Sequence, residues 1–213
     1  IGNAIVDVVT NADEDFLTDH GIEKGAMTLI NAEQLQSLLP KTHEAKIISG
    51  GSAANTIVAI SMLGGSGAYI GKVKNDAAGN AFKRDLKDLG VSYTTTSNSS
   101  GPATAQCLVF VTEDAQRSMA TYLGACVSLE PSDIDAKMIE ASKVIYLEGY
   151  LWDPPKAKEA IKKAIKLAHS TNCKVALSLS DAFCVNRYRA EFLDLVSNQV
   201  DILFANESEI ISL

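Results

Sequence analysis

The sequence predicts an α/β domain: a mostly parallel sheet with helices on both faces, and a small β-sheet set aside as a lid. Three observations carry this. From residue 132 onward, helical patterns at 132–141, 155–169 and 187–196 alternate with the short apolar runs KVIYLEG, KVALSLS and VDILFA, as right-handed βαβ crossovers require. Between residues 90 and 125, VSYTTT, TAQCLVFV and RSMATYL read as extended runs with polar alternation, which suits an antiparallel sheet with one wet face. The chain has 213 residues, 46% apolar and 21% charged, enough for one such domain.

The remaining elements follow in order. IGNAIVDVVT is a mostly apolar strand, and residues 11–30 read as loop with short extended pieces. NAEQLQSLL opens a helix at Asn31, AKIIS is a strand, and Ser52–Leu63 has helical spacing. SGAYIGKV is a strand, and AAGNAFKRDLKDLG is an amphipathic helix closed by Gly90. No repeat, low-complexity tract or linker interrupts residues 1–213, so the reading is a single domain with lid segments near 10–30 and 90–125. The first residue, Ile1, falls inside a strand-like run and Leu213 inside a helix-like one, so the chain reads as cut at both ends.

Composition narrows the function classes. Net charge is −7, from 19 basic and 26 acidic residues, and no basic block stands out, which argues against nucleic-acid or acidic-membrane partners. No apolar run approaches the roughly 20 residues of a membrane span. Cys107, Cys126, Cys173 and Cys184 form no C-x-x-C pair, and His20, His43 and His169 are scattered, so no zinc site is expected. The cysteines read as reduced thiols of a cytoplasmic protein.

In an open parallel sheet the ligand lies beyond the carboxyl ends of the strands. A polar set collects there: Asn3 and Asp7 on the first strand, Gly50, Gly51, Ser52 and Asn55 after the second, Glu148, then Ser178 and Asp181, then Asn206 and Glu209. The stretch KIISGGSAANTIVAISMLGG is the most informative. Glycines let a ligand lie against the main chain, and free N–H groups at a helix start attract hydroxyls. Asn55, one turn in, adds a donor and an acceptor, which suits a polyol such as a sugar. The competing reading is a plain loop with Ser52 as N-cap and Asn55 as an exposed helix residue. There is no G-x-x-x-x-G-K-[ST] and no G-x-G-x-x-G, and GGSG at 64–67 precedes a strand, so P-loop and dinucleotide folds are disfavoured.

Bland readings stand beside other residues. Asp7 could be a strand-end aspartate satisfied by backbone amides. Asn206 with Glu209 three residues on is a capping box. Glu148 and Asp181 could pair as glycosidase carboxylates. Cys107 reads as packing, since no histidine is placed to activate it. Tyr150 and Trp152 either pack the mouth of the sheet or stack a base.

GGSAANTIVAISMLGGSGAYIGKVKND, with GNAIVD upstream and NESE downstream, resembles the PfkB family of carbohydrate and nucleoside kinases. GNAIVD, GGSAANT, RSMATYLGA, YLEGYLWDPP and LSLSDAFCV resemble its adenosine-kinase-like branch. The resemblance implies a ribokinase-like three-layer αβα sandwich with a small β-sheet lid, and transfer of phosphate from ATP to a hydroxyl of a nucleoside or sugar, adenosine first. A ribokinase- or fructokinase-type sugar kinase, or a non-catalytic sensor, is the alternative. It implies that Asn3, Asp7, Gly50, Gly51, Ser52 and Asn55 hold sugar hydroxyls, and that Arg117 could meet phosphate on lid closure. Cys107, Met119 and Thr121 would line the lid side. Ser178 and Phe183 fall where base-contacting groups lie, although asparagine is commoner at the first. Asn206 and Glu209 match an N-x-x-E motif near Mg²⁺-bound phosphates. The general-base aspartate is expected beyond Leu213, so this fragment alone would be inactive. The resemblance leaves assembly open between a homodimer through the lid sheet, frequent in the family, and the monomer frequent in the adenosine-kinase-like branch.

Overall fold

The computed structural model describes all 213 residues as ten strands and nine α-helices. In chain order they are β1 (Ile5–Asn11), α1 (Glu14–Asp19), β2 (Met27–Leu29), α2 (Ala32–Leu38), β3 (Lys46–Gly50), α3 (Ser52–Met62), β4 (Gly67–Tyr69), α4 (Ala77–Asp88), β5 (Val91–Tyr93), β6 (Ala105–Val111) and β7 (Arg117–Tyr122). Then follow α5 (Ala136–Glu140), β8 (Val144–Glu148), α6 (Pro155–Ser170), β9 (Lys174–Ser178), α7 (Ala182–Arg187), α8 (Arg189–Asn198), β10 (Ile202–Phe204) and α9 (Glu207–Ser212). No helix is long and apolar enough to cross a membrane.

The strands form a five-stranded mixed sheet in the order β2-β7-β6-β1-β3, a parallel sheet β10-β9-β8 and a parallel pair β4-β5. Residues 1–4 connect the last two. The Ile1 nitrogen donates to Tyr146 O at 2.7 Å, Glu148 N–H donates to Ile1 O, and Gly2 N–H donates to Ile70 O at 3.1 Å. One layer therefore runs β5-β4-(1–4)-β8-β9-β10. The same extended segment then continues as β1 into the mixed sheet, pairing antiparallel with β3 and parallel with β6.

Strand periodicity builds the layers. In β8, Ile145 and Leu147 face the cluster of Ile161 and Ile165 from α6 with Val185 and Phe192 from α7 and α8. Tyr146 points the other way, toward Ala53 and Ala54 of α3 and Phe82 and Leu86 of α4. That is the three-layer, ribokinase-like arrangement. A third cluster lies under the mixed sheet, where Val8, Leu108, Phe110 and Ala120 pack on Leu17, Leu35 and Leu38 of α1 and α2.

The structure corrects several expectations. Residues 11–30 hold a helix, α1, because Asp13 caps it by accepting the Phe16 N–H and Leu17 and Phe16 drop into the third cluster. VSYTTT does not join an antiparallel sheet: β5 pairs parallel with β4, as the intervening α4 crossover dictates. Of the three runs between 90 and 125, only β6 and β7 pair antiparallel with each other, and β6 is buried on both faces rather than wet on one. The helix expected at 132–141 is a 3₁₀ turn, Pro131–Asp133, followed by α5, which Asp135 caps. The helix expected at 187–196 is preceded by α7, capped by Asp181, and the chain breaks direction at Tyr188.

Phe82 is fully buried between Tyr69 and Tyr93, with ring centroids 5.7 and 5.9 Å away. Phe82→Ala is expected to destabilise the fold by about 3–5 kcal/mol, seen as a lower urea midpoint at unchanged m-value.

Candidate functional site

The mixed sheet places its side chains in rows, because cross-strand partners share a face. One row runs Leu29, Thr121, Cys107, Asp7 and Ile48, from β2, β7, β6, β1 and β3. The next row on that face holds Met27, Met119, Val109 and Val9. The opposite face is the one packed on α1 and α2. Asp7 is thus one carboxylate in a wall of apolar and weakly polar side chains. Its Cys107 neighbour accepts a hydrogen bond from the Thr121 hydroxyl at 3.2 Å.

Asp7 is half-buried and no lysine or arginine pairs with it. Burial alone pushes its carboxyl up to about 6. The Cys107 thiol is pushed up to about 11, first by burial and then by the nearby Asp7 charge, so it is protonated near neutral pH. Such a carboxylate lacks hydrogen-bond donors, which a ligand rich in hydroxyls supplies.

The diglycine turn closes the site from the β3 side. A Cβ on Gly50 would fall on the Asp7 carboxylate, so only glycine lets that side chain lie against the β3 backbone. Gly51 has φ +95°, and a Cβ there would meet the Asn3 carbonyl oxygen. Both glycines are required, each for a different reason. Gly51 gives α3 no side-chain cap, and Ser52 is its first helical residue, which overturns the reading of Ser52 as N-cap. The cap comes from β8: Glu148 Oε1 accepts the Ala53 N–H and Oε2 accepts the Asn3 N–H at 2.8 Å.

The structure therefore gathers Asn3, Asp7, Gly50, Gly51, Cys107 and Thr121, with Met119 one row away. Ser52 and Asn55 sit on the exposed first turns of α3. Asn55 lines a cleft of about 340 Å³ with Ser49, Val58, Asp85 and Asp88. Arg117 is exposed at the opposite end of β7, four residues from Thr121 and so roughly 13 Å along the strand. Ser178 ends β9 between Glu148 and Phe204, and Phe183 is 78% exposed on α7. Asn206 and Glu209 form the capping box of α9: Asn206 Oδ1 accepts the Glu209 N–H at 2.8 Å, and both Glu209 oxygens accept from Asn206.

The glycosidase pairing of Glu148 with Asp181 fails, because Glu148 binds backbone amides and Asp181 caps α7 by accepting the Cys184 N–H. Trp152 is buried against Phe192, and Tyr150 donates to Ser180 O, so both pack the mouth of the sheet. Sequence reasoning missed the Lys72–Asp133 ion pair, nearly buried on both sides. It also missed the cap that Glu148 provides; a single acidic residue ending the apolar run VIYL was the available signal.

This fold and this wall of side chains belong to the ribokinase-like class. A family model described as pfkB family carbohydrate kinase matches residues 25–213. The chain belongs to that family. The crystal structure of adenosine kinase from Sinorhizobium meliloti superposes with a TM-score of 0.92 at 50% identity, covering 99% of this chain and 65% of that one. A probable sugar kinase protein from Rhizobium etli CFN 42 superposes with a TM-score of 0.92 at 49% identity, covering 99% and 64%. The probable fructokinase-6, chloroplastic, of Arabidopsis thaliana is 30% identical over 174 residues, 77% of this chain and 44% of that protein. The chain thus spans about half to two thirds of these relatives.

The position of Asp7 has a consequence for stability. The folded chain holds the Asp7 proton up to about pH 6, whereas an unfolded aspartate releases it near 3.9. Between those values the folded state binds more protons, so stability from this group is greatest below about pH 4 and falls as pH rises to 6. Asp7→Asn is expected to abolish that fall and to be more stable at pH 7 by about 2–3 kcal/mol, measured by urea denaturation from pH 4 to 7.

Proposed function

We propose that this chain is the substrate-recognition portion of an ATP-dependent kinase that phosphorylates a hydroxyl of a nucleoside, adenosine first. The observation that carries the reading is the Asp7 carboxylate lying on Gly50 at the end of an apolar wall formed by Cys107, Val109, Met119, Met27 and Leu29. A polyol satisfies the unpaired carboxylate, and the flat apolar face beyond it suits a base joined to that polyol more than water. The 50% identity to an adenosine kinase over nearly the whole chain points the same way.

In this reading Asp7 accepts hydrogen bonds from ribose hydroxyls, and Gly50 and Gly51 let the ring lie against the main chain. Asn3, whose carbonyl lies against Gly51, borders the same end, and Asn55 would approach it from the first turn of α3. ATP is the phosphoryl donor and Mg²⁺ its metal. The described residues contain no cluster of three His, Cys, Asp or Glu side chains able to hold a metal. The oxygens of Glu209 are engaged in the capping box, so Asn206 and Glu209 would act on Mg²⁺-bound phosphates through water. By family resemblance the base that takes the hydroxyl proton lies beyond Leu213. The four cysteines are free and buried, which supports a cytoplasmic setting.

A second reading is a sugar kinase of the fructokinase or ribokinase type, favoured by the 49% identity to a probable sugar kinase. Assaying the natural full-length protein with ATP and Mg²⁺ against adenosine, ribose and fructose separates the two. Phosphorylation of adenosine well above the sugars is expected, and Asp7→Asn should lower kcat/KM about 10- to 100-fold. A variant with unchanged kcat/KM would remove Asp7 from the site, and turnover of sugars alone would establish the second reading.

A further inference from the structure

We propose that Glu148 is a positioning residue that fixes the distance between the first strand and the diglycine turn, and through them the placement of Asp7 over Gly50. This rests on the functional reading above and adds a residue that does not itself line the Asp7 wall.

The reason lies in what the turn gives up. A helix leaves its first N–H groups without partners, and a Ser, Thr, Asp or Asn at the N-cap normally satisfies one. Position 51 cannot hold such a residue, because its φ of +95° and the nearby Asn3 carbonyl both require glycine. The glycine that opens the turn to a ligand thus strips α3 of its own cap. Glu148 replaces it from the carboxyl end of β8, 95 residues away, with Oε1 on the Ala53 N–H. Its other oxygen takes the Asn3 N–H, four residues before Asp7 on the same extended segment.

The carboxylate is 1% exposed and no lysine or arginine side chain pairs with it. A buried carboxylate is expensive, and its two amide partners are what make it tolerable. The space is shaped for it: a Cβ on Gly2 would come within 2.7 Å of the carboxylate oxygen. Two amides held by one rigid group fix two backbone segments relative to each other, which a pair of independent caps would not do.

The test uses Glu148→Gln, in which the amide accepts one N–H and turns an NH₂ toward the other. In the ligand-free chain, amide hydrogen exchange at Asn3 or Ala53 is expected to rise at least tenfold while the middle of α3 stays protected. Adenosine affinity, measured by calorimetry, is expected to fall about tenfold or more, since small displacements of a positioned group carry large penalties. Ile165→Ala, in the α6 core, serves as a control: it should lose stability without changing affinity. Unchanged protection at both amides overturns the proposal, as does unchanged affinity or an equal loss in the Ile165→Ala control. If Glu148→Gln does not fold, Glu148→Asp, which keeps the charge but shortens the reach to both amides, is read in the same way. If the unaltered chain binds no adenosine, the reading of the site as a nucleoside pocket fails by itself, and amide exchange alone decides the role of Glu148.

Discussion

The close approach of the Asp7 carboxylate to the Gly50 backbone is the contact around which the rest of the molecule is arranged. It needs a strand that presents Asp7 beside β3, a glycine at position 50 and a second glycine to turn the chain into α3. Each requirement excludes a more ordinary choice. A side chain at position 50 would displace the carboxylate, and an ordinary capping residue at position 51 would collide with Asn3. The energetic cost is a carboxylate without a basic partner and a helix that cannot cap itself. Surfaces optimised only for stability avoid both, which is why the combination supports the proposed binding site.

The parallel layer provides rigidity and the mixed sheet provides the wall. α6 packs Ala157, Ala160, Ile161, Ala164, Ile165 and Ala168 against β8 and β9, each at most 1% exposed. That stripe recurs at helical spacing and covers one face of β8 and β9. The mixed sheet is held from its other face by α1 and α2 through Leu17, Leu35 and Leu38. β1 itself joins two cores, Val6 packing with α3 and α4 and Val8 with α1 and α2, and Asp7 lies between these two residues.

Much of this architecture was legible in the sequence. Alternation of helical and apolar strand patterns after residue 132 reported the parallel layer, and two of the expected site features, Asp7 and the diglycine, lie side by side, whereas Asn55 lines a separate cleft with Ser49 and Asp85. What could not be read depended on distant partners. β5 looks like a lid strand by composition, but the helix joining it to β4 decides its partner. α1 lies in a polar stretch whose only apolar pair, Phe16 and Leu17, gains meaning once Phe110 is beside it. The role of Glu148 depends on amides 95 and 145 residues away, beyond the reach of any local pattern.

The sharing of residues 1–11 between two sheets bears on how the chain reaches its native state. Asn3 is emitted from the ribosome long before Glu148, its partner 145 residues later. At roughly 5–20 residues per second this interval is on the order of ten seconds. During it α1, α2 and β3 can gather on β1 through nearby contacts, and Gly2 can reach Ile70 beside β4, but β8 has yet to be made. Closure of the opening segment between β4 and β8 is thus a late, non-local event. The bridge from Asn3 to Glu148 therefore closes only after β8 has been made, long after the strand it steadies.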